Sequence, residues 1–404
     1  MASLSKKLSV LISAISAFAI AETAVAESND SIGDAVKSGK ANITLRYRYE
    51  RVDQDNLNED AGASTLKSRF SWKSGQYNKF TVGLEMDYVS VLGSERYNST
   101  ENGKTNYPLV ADPEGFDLNQ SYLKYTGGKT STTLGRQRIT HGSQRFIGGV
   151  AWRQNEQTYD GVRIQRKDPG KWTMEYTYTW NVNRIFGPDD GAQPSDWRGD
   201  SHFLTSGWSV TDGHHIDAYA YLLEFDNDNG VPNSTNTYGL AYKGKFGPVT
   251  LTAAAATQSD AGDSPLSYDA DYYQLQADFK ISKVTLTAGI EVLGSDDGVA
   301  AFRTPLATLH KFQGWADKFL NTPAAGIEDT FVGIKGKLGP VRLAATWHEF
   351  SPNEGSGDYG TELNAVATWA IRTNLTVQLK YADYQEDGFS VDTTKYWASL
   401  IVKL

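Results

Sequence analysis

The chain has 404 residues, 39 Lys and Arg against 48 Asp and Glu, a formal charge of −9 and no cysteine. Without cysteine no disulfide can hold the fold, so a large core or a closed sheet must do it. A negative mean hydropathy argues against helical membrane spans, but not against a β-barrel, whose strands alternate and average out to polar.

The first 26 residues read as a secretory signal. Lys6 and Lys7 form the positive start, Leu8 to Ile20 the apolar run, and Ala24-Val25-Ala26 a small-x-small cleavage site. The apolar run is too short for a retained membrane helix. Export and cleavage are therefore expected, leaving residues 27–404 as one domain. Glu27 to Lys40 is polar and reads as a short periplasmic segment.

From there the period is two. Ile43, Leu45, Tyr47 and Tyr49 share one face, opposed by Asn42, Thr44, Arg46, Arg48 and Glu50. Leu66, Phe70 and Trp72 oppose Lys67, Arg69, Ser71 and Lys73; Phe80, Val82, Leu84 and Met86 oppose Thr81, Glu85 and Asp87. The same alternation returns in Trp172–Trp180, Tyr273–Phe279 and Val284–Val292. Each such run is a half-buried strand.

Between the runs, connections alternate short and long. The short ones are turn-formers: Thr126-Gly127-Gly128-Lys129, Lys167-Asp168-Pro169-Gly170, Thr211-Asp212-Gly213, Gly244 to Pro248, Gly336 to Pro340 and Arg372-Thr373-Asn374. The long ones, at 51–64, 92–115, 140–156, 182–200, 226–234, 258–268, 294–326, 351–358 and 385–392, are acidic or rich in Gly and Asn. A β-sandwich would turn the polar faces to bulk water. The signal, the Trp and Tyr at strand ends and the alternating connections favour a barrel instead. The fold expected is all-β: a transmembrane antiparallel β-barrel of about 18 strands, or 16 to 18. Its last strand would carry Tyr396, Ala398, Leu400, Val402 and Leu404 on one face and close the sheet, in the manner of a signal for the barrel-assembly machinery. In Ala300–Ala325 the pattern breaks. Leu309, Phe312, Ala316 and Phe319 sit at helical spacing, so a helical turn or two is expected between Pro305 and Pro323.

The stretches DAVKSGKANITLRYRYE (34–50), LGRQRI (134–139), QRFIGGVAWRQNEQTYD (144–160) and TPLATLHKFQGWADKFLNTP (304–323) resemble the alginate-export family of outer-membrane barrels. The resemblance implies a monomeric 18-stranded barrel with an arginine-lined conduit for an anionic polysaccharide. It does not imply alginate as the solute of this chain.

Strand parity turns Arg46, Arg48, Lys67, Arg69, Lys124, Arg136, Arg138 and Arg163 inward, and Arg145 and Arg153 lie in a loop that could fold into the lumen. Confined rings of Arg or Lys select anions. Their plainer role is to balance lumenal acids such as Glu50, Glu85, Glu156 and Asp160. The partners expected are outer-membrane lipid and lipopolysaccharide, with an acidic saccharide or small organic anion as solute. No cofactor, metal or nucleic acid is expected. His141, Ser143 and Asp160 invite a catalytic reading only if they meet in space. Two rivals stay open: a barrel enzyme such as a lipase or protease, and a non-conducting structural or adhesive barrel.

Overall fold

A computed structural model describes residues 29–404 except 94 and 169. The signal segment, residues 1–26, lies outside the described residues. After Ser31, whose hydroxyl caps the Asp34 N–H at 3.1 Å, a short helix α1 (Ile32–Lys37) leads into the sheet. Eighteen antiparallel strands follow. The first nine are β1 (Lys40–Gln54), β2 (Ala61–Lys73), β3 (Phe80–Val91), β4 (Gly115–Gly127), β5 (Thr130–Gln137), β6 (Thr158–Asp168), β7 (Trp172–Asn183), β8 (Asp196–Thr211) and β9 (His214–Leu223). Next come β10 (Thr235–Phe246), β11 (Val249–Asp260), β12 (Asp269–Ile281) and β13 (Val284–Leu293). The last five are Ile327–Leu338, Val341–Ser351, Gly360–Arg372, Leu375–Gln385 and Thr393–Lys403. The final strand pairs with β1, Thr44 opposite Lys403 and Gln54 opposite Thr393. That pairing closes the sheet and leaves no open edge.

Parity holds around the ring. Leu240, Tyr273, Leu275 and Ile334 on the outer face are each more than half exposed, whereas Lys67, Glu85, Thr177 and Glu291 on the inner face are buried. A soluble sheet would bury the first set; here that set is the surface that meets acyl chains. No helix among the described residues is long and apolar enough to cross a membrane.

Short turns gather on one rim and long loops on the other. In barrels of this build the short-turn rim is periplasmic. Gly128 and Gly213 occupy left-handed conformations (φ 56° and 82°) in two-residue turns, which an L side chain resists. The turn at Ser282-Lys283 holds a serine there instead, at φ 53°, so no glycine marks it in the sequence.

The long loop 294–326 departs from expectation. Its only helix is one 3-10 turn, Leu309–Lys311, and it opens with a small ladder pairing Ser295–Asp296 with Ala300–Ala301. Gln313, Gly314 and Asp317 take positive φ, which stops any helix. The Ala316 N–H, instead of bonding back along a helix, donates to the Glu362 carboxylate on the wall at 2.8 Å.

This loop and loop 138–157 both fold into the barrel and build its core. Phe146, Ile147, Phe302, Leu306, Ala316 and Phe319 pack against inward wall residues Phe203, Tyr221, Tyr272, Phe350 and Tyr384. Phe302 and Leu306 are fully buried. Each fully buried side chain of this size is worth about 1.5–3 kcal/mol, so the packing alone favours retention of both loops.

At the outer rim, loop 92–114 touches loop 184–195, the Ala192 N–H donating to Thr100 O at 2.7 Å. Burial, then the charge of Asp189, pushes the Glu101 carboxyl up to about 7. A raised acid pKa means the folded contact prefers the protonated form. The contact is therefore firmest below about pH 4.5 and weakens as pH rises through about 7. Proteolysis within 184–195 should be faster at pH 8 than at pH 5, and Glu101→Gln should abolish the difference. Equal rates in the parent protein would refute the coupling.

Candidate functional site

The inward arginines reach the loops before they reach any solute. Arg46 on β1 donates from Nε to Gln154 Oε1 at 2.8 Å, from Nη1 to Ala151 O at 2.9 Å, and from Nη2 to Arg153 O. Two residues along the strand, Arg48 donates to Trp152 O, pairs with Asp112 at 3.5 Å and stacks over the Trp152 ring at 4.3 Å. Strand alternation puts both guanidiniums on one face, and the five fixed donors of each suit a row of carbonyls.

Beside them lies a balanced patch of three cations and three acids. Arg69 binds Asp87 (2.7 Å from Nε), Arg138 binds Glu85 (2.7 Å) and Glu156, and Lys67 lies 3.6 Å from Glu156. Burial raises the pKa of the Glu156 carboxyl, but Lys67, Arg69 and Arg138 together hold it far below the usual carboxylate range. Further round, Arg136 takes Asp160 at 2.8 Å and Arg163 takes Glu175 at 2.7 Å.

Arg145 and Arg153 tie loop to loop and loop to wall. Arg145 pairs with Glu291 on β13 at 3.0 Å and donates to Thr304 and Gln313 of loop 294–326, both at 3.1 Å. Arg153 joins Glu50 on β1 at 3.1 Å and Asp317 at 3.3 Å. Asp317 also holds Lys395 at 2.9 Å and His310 at 2.7 Å. Above them Lys380 sits between the rings of Trp152 and Trp315, at 3.5 and 3.7 Å, and donates to His310 Nε2 at 2.8 Å. The geometry fixes the histidine tautomer: Nε2 accepts, so Nδ1–H donates to Asp317. Burial, chiefly, pushes the His310 imidazole well below its ordinary value and keeps it neutral.

Nine of the ten basic residues singled out in the sequence thus have protein partners. Among the described residues Lys124 makes no ion pair, and the charges that act on it are cations: Lys73, Arg163 and Lys167. Lys73, Lys167 and Lys243 share the inner face near the short-turn rim and also make no ion pair among the described residues. Below the loop junction, toward that rim, lies a cavity of about 950 Å³. Its acids are engaged: Asp278 with Lys335 (3.2 Å), Asp329 with His348 (2.9 Å), Asp217 with His215 (3.0 Å), and Glu175 and Glu291 as above. Its bases Lys167, Lys243 and Lys311 have no acid partner. Alternation in TYGLAYKGKF could have found Lys243 and that in LTVQLKYADYQ Lys380; no local signal marks Lys311 or Asp317.

His141, Ser143 and Asp160 do not form a triad. His141 bonds Glu175 at 2.7 Å and stacks on Tyr221, while Asp160 is taken by Arg136 and Asn181. Among the described residues no group of three or more His, Asp or Glu is placed to hold a metal ion.

A family model described as alginate export matches residues 40–287, more than half of the chain. No curated protein matches it. Among solved structures, Pseudomonas aeruginosa OpdO is similar at TM-score 0.71 and 12% identity, covering 92% of this chain and 98% of its own. Acinetobacter baumannii OccAB4 follows at 0.68 and 15%, covering 91% and 98%. Pseudomonas aeruginosa OpdK, solved with vanillate, stands at 0.68 and 13%, covering 91% and 99%. These likenesses show the fold: a porin-like outer-membrane barrel.

Proposed function

The chain belongs to the alginate export family, and from that premise we propose that it is a passive, anion-preferring channel for an acidic saccharide or a small organic anion. The observation that supports this most is the set of lysines without counter-charges. Lys73, Lys124, Lys167 and Lys243 share the inner face toward the short-turn rim, where each lumenal acid of the cavity already has a partner. Charges of one sign in a narrow low-dielectric passage raise the local concentration of the opposite ion. Several weak sites let an anion enter and still leave. The arginines act differently. Most hold the inward loops in place, so the lysines supply the field a solute meets.

OpdK, solved with vanillate, is compatible with a small organic anion as solute. The membrane environment is lipid around the outer face, with lipopolysaccharide on the long-loop side. We further propose cleavage of the signal, insertion by the barrel-assembly machinery and function as a monomer. A closed barrel is the second reading, favoured by the packed junction of the two loops.

A planar-bilayer recording under a salt gradient separates these. The expected reversal potential shows anion preference, and Lys73→Gln, Lys124→Gln and Lys167→Gln together should reduce the anion-to-cation permeability ratio severalfold. Neutralising Arg136 and Arg138 should affect stability more than selectivity. A cation-selective pore overturns the reading, and absence of any conductance turns it to the closed barrel.

A further inference from the structure

We propose that the cavity beneath the loop junction is a binding site for one small carboxylate with a flat apolar body, its charge seated between Lys311 and Lys243. The proposal rests on the anion-channel reading and narrows it to a solute of monomer size.

Lys311 reaches the cavity from the loop hung inside the barrel; Lys243 reaches it from the wall, on β10. Neither has an acid partner among the described residues, and the charge that acts on Lys311 is that of Lys243. The Lys311 ammonium donates to Ser143 O at 2.9 Å, which uses one of its three donors. Burial, then Lys243, pushes its pKa down from the ordinary lysine value. Two ammonium groups that line one cavity without an acid partner are a cost that a bound carboxylate removes.

Beside the lysines the wall is aromatic. Phe146 packs on Tyr219 at 5.0 Å and on Tyr272 at 5.3 Å, and Phe312 completes the shelf, with Lys311 Nζ 5.6 Å from its ring. A flat apolar body gains from offset or edge contact with such rings. Above the shelf, Phe302 and Leu306 are fully buried and Arg153 and Lys395 nearly so, a packed layer that narrows the lumen against a polyuronate chain.

The test uses the full-length protein in detergent and in bilayers, with benzoate, cyclohexanecarboxylate, glucuronate and an alginate oligomer as probes. Trp315 lines the cavity, so its fluorescence reports binding apart from conduction. Benzoate should quench it at lower concentration than glucuronate, and should occlude single channels when added on the short-turn side. Losing one cationic partner should weaken benzoate about tenfold, in both Lys311→Met and Lys243→Met. Lys243 is exposed on the wall, so its variant should fold even if that of Lys311 does not. Lys124→Gln, outside the cavity, should shift the reversal potential yet leave benzoate affinity unchanged. Equal affinities for benzoate and glucuronate, passage of the oligomer, or unchanged affinity in Lys243→Met would overturn the site. A cation-selective pore that still bound benzoate through both lysines would overturn the channel reading alone.

Discussion

Asp317→Asn should widen a lumen that the two inward loops narrow. One carboxylate there serves three partners: His310 at 2.7 Å, Lys395 at 2.9 Å and Arg153 at 3.3 Å. Its surroundings hold the buried cations Arg48, Arg153, Lys380 and Lys395 against the acids Glu50, Asp112 and Asp317. The substitution leaves four cations and two acids out of water. Breaking a buried pair in this way costs about 3–5 kcal/mol, or roughly two to three and a half orders of magnitude in a closed-to-open ratio. The barrel wall keeps its ladder of backbone hydrogen bonds, so loops 138–157 and 294–326 should detach rather than the barrel unfold. Larger single-channel conductance and faster proteolysis within 294–326 should report the release. Wild-type conductance in this variant would mean that the ion network is not what holds the loops.

Protonation of Asp317 itself should not imitate the variant until low pH. Burial raises the Asp317 carboxyl, but His310, Lys395 and Arg153 hold it well below the usual range. A depressed acid pKa contributes stability above the unfolded value of 3.8, lost only as pH falls through the lower folded value. Protonation of Asp317 should therefore leave the loops in place at pH 5, where Asp317→Asn already releases them.

Much of this architecture was legible because lipid imposes a simple rule on strands. Ile43, Phe70, Val82 and Leu275 face outward where alternation put them, and the nine long segments each contain a loop of the long-loop rim, although at 51–64 the strands run on and leave only 55–60. Most turns were legible through glycine. The one at Ser282-Lys283 was not, since nothing in a serine announces a left-handed backbone. The site was legible only in outline. Parity correctly turned Arg46, Arg48 and Arg69 inward, yet it could not show that Arg46 spends its donors on carbonyls 105 to 108 residues away. Arg153 finds Asp317 across 164 residues, a pairing that only the inward fold of both loops creates. The helical spacing in 309–319 misled for a related reason: Ala316 and Phe319 are core residues, but of a loop whose amides bond to the wall.

The second large effect concerns Arg145, and here a paired substitution separates charge from packing. Arg145→Met removes the partner of Glu291, which is 2% exposed. Glu291 would keep the Tyr272 hydroxyl at 2.7 Å and Gln313, but no cation. An uncompensated buried carboxylate costs about 3–5 kcal/mol, so the single variant should unfold at lower denaturant and open the lumen. Adding Glu291→Gln removes the orphaned charge. When both partners go, the penalty of an unmet group goes with them, so the double variant should recover most of the loss; the two sites touch, and their effects should not add. The apolar faces of the two loops, Phe146 and Ile147 against Phe302 and Leu306, survive both changes. If they hold the loops at this end, the double variant conducts like the parent. If it conducts like Arg145→Met alone, the guanidinium rather than the apolar packing keeps the lumen narrow.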